Sequence, residues 1–183
     1  MLQELVPTKK ERQAQSIDFS KPSERLYTIS RPTPTELSQL WEQLQSERHQ
    51  LYRFPASLSD LVGQWGHSML LFTGRVDEHL AALFALCEPA FSSGGSPVAA
   101  WVFAYVLPAF RGTHGMHLCQ TAVDFFARQG FERFWTGVRA DNKPAQRLAR
   151  SCGFRRCGQV PGLGAPETPG VDAIFYVWEQ QGG

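Results

Sequence analysis

The clearest helical pattern in the chain lies towards its amino end. Apolar residues recur there every three or four positions, which places them on one helix face: Leu37, Leu40, Trp41, Leu44 and Leu51. The preceding Thr33 and Glu36 have the spacing of a capping box, and Pro34 suits the first helical position. The pattern predicts a helix from this cap to about residue 50, and a shorter helix over residues 57–64.

Two further helices are predicted later in the chain. Residues 115–129 carry an apolar stripe and are followed by Gly130, a residue that commonly ends helices. Asn142 is a good amino-terminal cap for the next helix. We expect that helix to end at Gly153, with Phe154 packing back against it.

Apolar segments bounded by turn residues predict the strands. The segment 98–107 is continuously apolar, which is typical of a strand covered on both faces. Residues 68–74 and 79–87 predict a hairpin, followed by a Ser/Gly loop at 89–97. The remaining predicted strands are residues 26–29, 134–138, 154–160 and 171–178. This order predicts an α+β domain with a single mixed, mostly antiparallel central sheet and helices on both faces.

Composition and charge exclude several functional classes. The chain has 183 residues, 43% of them hydrophobic, which is enough for one folded domain over residues 25–183; the polar residues 1–24 are predicted to be a mobile arm. A net charge of +1 and the lack of a long apolar run argue against nucleic-acid and membrane partners. Four cysteines without a CxxC pair, and an amino end without an apolar segment, predict a reduced, cytoplasmic protein.

The segment from Tyr105 to Met116 carries the strongest chemical signal. A buried strand ends at Pro108, a turn with Arg111 and Gly112 follows, and a helix begins at once. The first amides of a helix have no internal acceptors and lie at the positive end of its dipole, so they attract anions. Arg111 adds a planar donor for phosphate. The segment predicts a site for a phosphate-bearing ligand, although a tight strand–helix turn without a ligand has the same pattern.

A second block of residues, one strand later, strengthens this prediction. Between Asn142 and Pro166 the chain has five basic residues and no acidic one: Lys143, Arg147, Arg150, Arg155 and Arg156. A basic helix beside an anion-binding turn suits a ligand with several phosphates. Taken alone, such a helix is more typical of a solvated surface.

Together the two blocks resemble the acyl-CoA signature of the GNAT family of N-acetyltransferases. That signature reads V-x-P-x-x-R-G-x-G-x-G and then, after a helix and a strand, N-x-x-A-x-x-L-Y-x-x-x-G-F. The residues in register are Val106, Pro108, Arg111, Gly112, Asn142, Ala145, Leu148, Gly153 and Phe154. Two features depart from it. His114 and Met116 replace glycines, with Gly115 displaced by one position, and Ala149 replaces a tyrosine that often protonates the leaving thiolate.

The resemblance implies an acetyl-CoA-dependent N-acetyltransferase that acts on a primary amine, most simply that of a small molecule. Acyl-CoA is expected in a gap where two parallel strands splay apart. There the amide of Val106 or Leu107 would polarise the thioester carbonyl. The residues expected to bind this cosubstrate are Val106, Leu107, Arg111, Gly112, Thr113, His114, Gly115, Met116, Asn142 and Arg147.

Three residues are candidates for the catalytic base that removes the proton from the acceptor ammonium group: Glu88, Tyr105 and Tyr176. No metal is expected, because His114 and His117 have no third ligand near them in the sequence. The acceptor could instead be a protein lysine or amino terminus, and a non-catalytic acyl-CoA-binding regulatory domain is a further alternative. The chain is expected to be a monomer or a homodimer.

Overall fold

The computed structural model describes residues 25–47, 57, 69–95, 97–163 and 170–180. The helices formed by these residues are α1 (Pro34–Glu47), α2 (Thr113–Arg128) and α3 (Lys143–Ser151). The strands are β1 (Tyr27–Ser30), β2 (Met69–Val76), β3 (His79–Phe91), β4 (Pro97–Val106), β5 (Arg133–Arg139), β6 (Arg155–Val160) and β7 (Ala173–Glu179). None of these helices is long and apolar enough to cross a membrane. The predicted arm, and the predicted helix beyond Ser57, lie outside the described residues.

The described strands form one sheet in the order β1-β2-β3-β4-β5-β7-β6. Only β4 and β5 pair in parallel within it, and every other neighbouring pair is antiparallel. Helix α2 connects the two parallel strands, as a parallel crossover requires. The chain then passes through α3 to the outer strand β6 and returns in β7. The predicted mixed, mostly antiparallel α+β sheet is confirmed.

The helices cover both faces of the sheet, as predicted. On one face, α2 and α3 enclose the larger core, in which Phe84, Leu118, Phe126 and Phe134 are almost completely buried. On the other face, α1 inserts Leu40 and Leu44 into a smaller apolar cluster with Leu83 and Tyr105. Because side chains alternate along a strand, even-numbered residues of β4 face α2 and odd-numbered residues face α1.

The predicted caps fix the ends of α1 and α3. The Glu36 amide donates to Thr33 Oγ1 over 3.3 Å, and the Thr33 amide donates to Glu36 Oε2 over 2.8 Å, which completes the capping box. At the start of α3, the Ala145 amide donates to the Asn142 side chain over 3.1 Å. At its end, Gly153 has a φ of +83° and the buried Phe154 donates back to the carbonyl of Ala149.

The largest departure from the predicted elements is in β3. This strand was expected to end at residue 87, but it continues to Phe91 and shortens the predicted Ser/Gly loop. Pairing with β4 is irregular between Cys87 and Ala90, so the strand passes through a bulge there. A bulge tolerates Pro89, which lacks the amide that a regular ladder needs. Pro89, which predicted the start of a loop, therefore lies in a bulge within the strand.

Candidate functional site

The parallel strands β4 and β5 separate along their length. They pair at only three positions, Ala99–Arg133, Ala100–Phe134 and Trp101–Trp135. Both strands then continue without pairing to each other, β4 to Val106 and β5 to Arg139. The described strands thus form a fork that opens towards their carboxyl ends, as the family resemblance implied.

Hydrogen-bond alternation determines which main-chain groups of β4 face the fork. The Leu107 amide donates to the Ala81 carbonyl over 2.8 Å, so it points away from the fork and towards β3. Residues in an antiparallel ladder alternate in direction, so the N–H and C=O groups of Ala104 and Val106 point across the fork. The Val106 carbonyl accepts a hydrogen bond from Arg111 Nε over 3.1 Å.

This geometry distinguishes between the Val106 and Leu107 amides, which are the two candidates for donating to the thioester carbonyl. The Leu107 amide already donates to the Ala81 carbonyl, which favours the Val106 amide over it. The Val106 amide faces the fork, and the Ala104 amide joins it as a candidate that the sequence analysis missed. In the structure, one property distinguishes Ala104: its side chain is exposed, although β4 lies in the middle of the sheet. A small exposed residue in a central strand indicates a cleft above it.

The turn after β4 presents main-chain amides. A short 3₁₀ turn (Pro108–Phe110) leads to Gly112, whose φ of +82° lies in the region that glycine adopts without strain. Helix α2 then begins at Thr113 without a side-chain cap, and its first internal bond runs from the Met116 amide to the Gly112 carbonyl over 3.0 Å. The amides of Thr113 and Gly115 therefore have no acceptor within the helix, as an anion site requires.

The two remaining unusual residues of the turn have packing roles. A Cβ on Gly115 would lie 3.2 Å from the Phe110 carbonyl oxygen and 3.4 Å from a Val106 methyl group, so glycine brings the start of α2 close to the end of β4. The His114 ring is buried, and its Nδ1 lies 2.9 Å from the Tyr27 hydroxyl on β1. Its side chain is thus directed to β1.

Arg111 occupies a different place from the one predicted. Its guanidinium forms an ion pair with Glu47 of α1, while its Nε bonds to the Val106 carbonyl. Its carbon Cζ also lies 5.8 Å from the centre of the Tyr105 ring. In this structure Arg111 connects α1 to the end of β4, and its contact with a phosphate remains a prediction.

The second sequence block lies next to the first. The Gln120 side chain of α2 donates to the Ser151 carbonyl of α3 over 3.0 Å, and Cys152 Sγ lies 4.0 Å from the Met116 carbonyl oxygen. Arg147 is exposed on α3. The Asn142 side chain is the amino-terminal cap of that helix. The buried Ala149 stands where the family has its tyrosine, so α3 brings no hydroxyl to the site at that position.

The candidate bases do not lie together. Tyr105 is 3% exposed in the cluster under α1, and Tyr176 is 1% exposed in the core under α2 and α3, so they occupy opposite faces of the sheet. Burial raises the pKa of Tyr105, and the Glu47 carboxylate raises it further, against a smaller lowering by Arg111. Glu88 lies in the β3 bulge, and its side chain is outside the described part of the chain.

An ion pair between the buried Arg139 and the exposed Asp141, at the open end of the fork, was not predicted. Arg139, the last residue of β5, is 6% exposed and donates to both carboxylate oxygens of Asp141, over 3.0 and 2.6 Å. The hydrogen bonds raise the pKa of Arg139 and lower that of Asp141. Gln146 Nε2 donates to the Ala140 carbonyl over 2.8 Å and holds the same turn. Sequence reasoning missed the pair because an arginine and an aspartate two positions apart at the end of a strand are typical of any surface turn.

Solved structures similar to this fold are acetyltransferases. The spermidine N-acetyltransferase from Vibrio cholerae, solved with CoA and spermine, superposes with a TM-score of 0.70 at 16% identity, covering 84% of this chain and 95% of that one. The acetyltransferase yncA from Salmonella typhimurium, solved with acetyl-CoA, gives 0.64 at 17% identity, covering 86% and 95%. A Salmonella typhimurium acetyltransferase that modifies the N-terminal serine of ribosomal protein L7/L12 gives 0.65 at 17% identity, covering 88% and 98%.

Sequence comparison identifies the family directly. No curated protein matches the chain significantly. The sequence model of the acetyltransferase (GNAT) family matches residues 24–154 of the chain. That range begins just before β1, includes the fork and the turn into α2, and ends at the glycine and phenylalanine that follow α3. The chain therefore belongs to the GNAT acetyltransferase family.

Proposed function

We propose that this protein is an acetyl-CoA-dependent N-acetyltransferase that transfers an acetyl group to the primary amine of a small molecule. The observation that carries the proposal is the fork: β4 and β5 separate after Trp101 and Trp135, and β4 presents main-chain groups to the gap. Solved relatives of the same fold contain acetyl-CoA or CoA, which supports this choice of cosubstrate.

The residues present at the fork suit this cosubstrate. The N–H and C=O groups of Ala104 and the N–H group of Val106 can pair with the amide-bearing pantetheine arm as they would with an added strand. The Val106 carbonyl already accepts from Arg111 Nε. The exposed methyl group of Ala104 leaves room for that arm. Beyond Val106, the uncapped amides at the start of α2 suit the diphosphate. The main-chain groups of β4 and the amides of α2 follow each other in the chain. The pantetheine arm and the diphosphate follow each other in the same order in the cosubstrate.

The protein contributes positioning and charge stabilisation to the transfer. Acetyl-CoA supplies the acetyl group as an activated thioester. The amide of Ala104 or Val106 donates to the thioester oxygen as negative charge develops there. Glu88 is the predicted base that takes the ammonium proton of the acceptor, so that the neutral amine attacks. A thiolate is a weakly basic leaving group compared with an alkoxide or an amide anion, so it can depart without the acid that Ala149 fails to provide.

Calorimetry with acetyl-CoA tests the first part of the proposal. We expect saturable binding by the wild-type protein, and Ala104→Leu should weaken it by at least about tenfold because the larger side chain fills the cleft. Ala90→Leu is the matched control, since Ala90 is an exposed alanine of β3 outside the fork. Absence of binding by the wild type, or equal binding by both variants, would contradict the site.

Thiol release over a panel of amines tests the second part. We expect release of CoA with one or more small primary amines. The buried Ala149, in place of the tyrosine, favours a second candidate function, a non-catalytic acyl-CoA-binding domain. Binding without thiol release on any amine would support that alternative. Release with amino-terminal or lysine peptides alone would instead indicate a protein acceptor.

A further inference from the structure

Three aromatic side chains cluster where the fork begins. The Trp101 ring of β4 lies 6.1 Å from the Trp135 ring of β5, centre to centre, with the planes inclined by 39°. It also lies 5.8 Å from the Phe175 ring of β7, edge to face at 75°. Trp101 and Trp135 are the last residues that pair across β4 and β5, so the cluster marks the apex of the fork.

The register places all three rings on the face covered by α1. Trp101 shares its face of β4 with Tyr105, which packs under α1. Phe175 pairs with Gly137 of β5, the one position between Trp135 and Arg139 on that face of β5. Because Gly137 has no side chain, the rings of Trp101 and Phe175 can meet above β5. The cluster therefore covers the apex on the face opposite α2, whose amino end carries the anion-binding amides.

Packing within the two core clusters of the described residues does not account for these rings. Each of the three side chains is only partly buried, and none belongs to either apolar core cluster of the described residues. Trp178 makes a useful contrast: it lies on the other face, 5.2 Å from Phe134 and in van der Waals distance of a Cβ placed on Gly153. It packs against the larger core, whereas Trp101 and Trp135 border the gap between two strands.

The charges around the cluster disfavour a polycationic ligand. Arg133 lies over the Trp135 ring, with Cζ 5.8 Å from its centre, and pairs with Glu179 over 2.8 Å. Arg155 binds the same carboxylate, so two arginines and one glutamate leave one net positive charge beside the rings. On α1, Glu36 and Glu47 are paired with Arg75 and Arg111. Each of these described carboxylates is thus already neutralised.

We propose that the acceptor carries an aromatic ring on a short chain that ends in the primary amine, and that this ring packs against Trp101, Trp135 and Phe175. This inference rests on the proposed function, because it places the amine beside the thioester at Ala104 and Val106. Three residues of strand separate Trp101 from Ala104, about 10 Å. A ligand ring whose centre lies about 4.5–7 Å from that of Trp101 leaves the rest of this separation to its short chain and amine. The aromatic rings prefer the stacked or edge-to-face contacts that such a group offers.

Steady-state kinetics with matched amines test the proposal. The ratio of kcat/KM for 2-phenylethylamine to that for n-pentylamine should exceed about tenfold in the wild-type enzyme, and spermidine should be a poorer substrate than either. Trp101→Leu and Trp135→Leu should each lower this ratio by at least about fivefold. Trp178→Leu is the matched control and should leave the ratio unchanged. The ratio does not depend on the folded fraction, so a loss of stability in a variant does not obscure it.

Calorimetry on the CoA-saturated protein separates the possible failures. We expect 2-phenylethylamine to bind the wild type and to bind both cluster variants at least about fivefold more weakly, with the Kd for CoA unchanged. Saturable CoA binding without a preference for the aromatic amine, or with a preference that both variants retain, would overturn this inference and leave the proposed function standing. A protein that binds no CoA would overturn both.

Discussion

At the scale of single residues, the turn into α2 depends on the backbone conformation of Gly112. Its φ of +82° is strained for any residue with a Cβ, although a Cβ there would meet no atom within 4 Å. The cost of a substitution is therefore conformational and not steric. Helix α2 begins without a side-chain cap because its N-cap residue is this glycine, which has no side-chain acceptor.

We predict that Gly112→Ala lowers the free energy of unfolding by about 1–3 kcal/mol. Gly158→Ala is the matched control, because Gly158 is equally open but its φ is not positive. That variant should be neutral or slightly stabilising, since alanine restricts the unfolded chain. Urea unfolding of both proteins measures the difference. Equal stabilities for the two variants would refute the role given to the Gly112 conformation.

The buried hydroxyl of Tyr105 gives a second prediction at this scale. It has no hydrogen-bond partner among the described residues, and its ring packs against leucines under α1. An unpaired buried hydroxyl is destabilising, so Tyr105→Phe should raise the free energy of unfolding by about 1 kcal/mol. Because burial and Glu47 raise the pKa of Tyr105, it is a poor base near neutral pH, and kcat should change by less than about twofold. A large loss of kcat without a loss of stability would restore Tyr105 as a catalytic residue.

Single-residue predictions from the sequence succeeded where the chemistry is local. The caps at Thr33, Asn142 and Gly153 depend on neighbours within a few positions, and all three are present. The direction of the Leu107 amide and the position of the Arg111 guanidinium depend on β3 and α1. The residues that neighbour Leu107 and Arg111 in the chain do not indicate these tertiary contacts.

At the scale of elements, α1 is held by charges that respond to acid. Partial burial raises the pKa of Glu36, but hydrogen bonds from Thr33 and the ion pair with Arg75 lower it by more, so its net pKa lies below the ordinary value. A carboxylate with a lowered folded pKa stabilises the protein above its unfolded pKa of about 4.3. That contribution is lost as the pH falls through the lower, folded pKa.

We therefore predict that Glu36→Gln changes how stability depends on acid. The free energy of unfolding of the wild type should fall more steeply than that of the variant between about pH 5 and about pH 2.5, and the two curves should converge at the acidic end. Chemical unfolding across this range measures both curves, and subtraction removes the other carboxylates. Parallel curves would show that the capping box and the Arg75 pair do not shift the pKa of Glu36.

The elements themselves were largely predictable, because hydrophobic periodicity and turn residues act locally. All described helices and strands lie where the sequence placed them, within a few residues at their ends. The bulge in β3 was the exception, since Pro89 and the following Ser/Gly residues favour a loop unless a partner strand supplies irregular pairing. Pairing between strands is a tertiary property that a single segment does not reveal.

At the scale of the whole molecule, the fork divides the sheet into two parts. The family resemblance implied that parallel strands would splay, but the sequence could not locate the last pair at Trp101 and Trp135. Where a parallel ladder ends depends on the twist of both strands and on what each pairs with on its other side. The aromatic cluster at the apex could not be predicted for the same reason, because it joins residues from three strands.

Amide hydrogen exchange should reveal this division directly. In the ligand-free protein, the amides of Ala104 and Val106 should exchange much faster than the Leu107 amide, which is bonded to Ala81. Saturation with CoA should slow the first two amides by at least about tenfold and leave Leu107 nearly unchanged. Slow exchange of Ala104 or Val106 without ligand would show that the fork is closed in solution.

The fork also affects the tendency of the ligand-free protein to aggregate. Two strand edges face each other inside one domain, and exposed edges are templates for aggregation. Here their shared entrance is bordered by the salt bridge of Arg139 and Asp141. Charged groups at such an opening discourage another chain from entering. The unpaired main-chain groups that a ligand would bind are thereby protected from pairing with another chain.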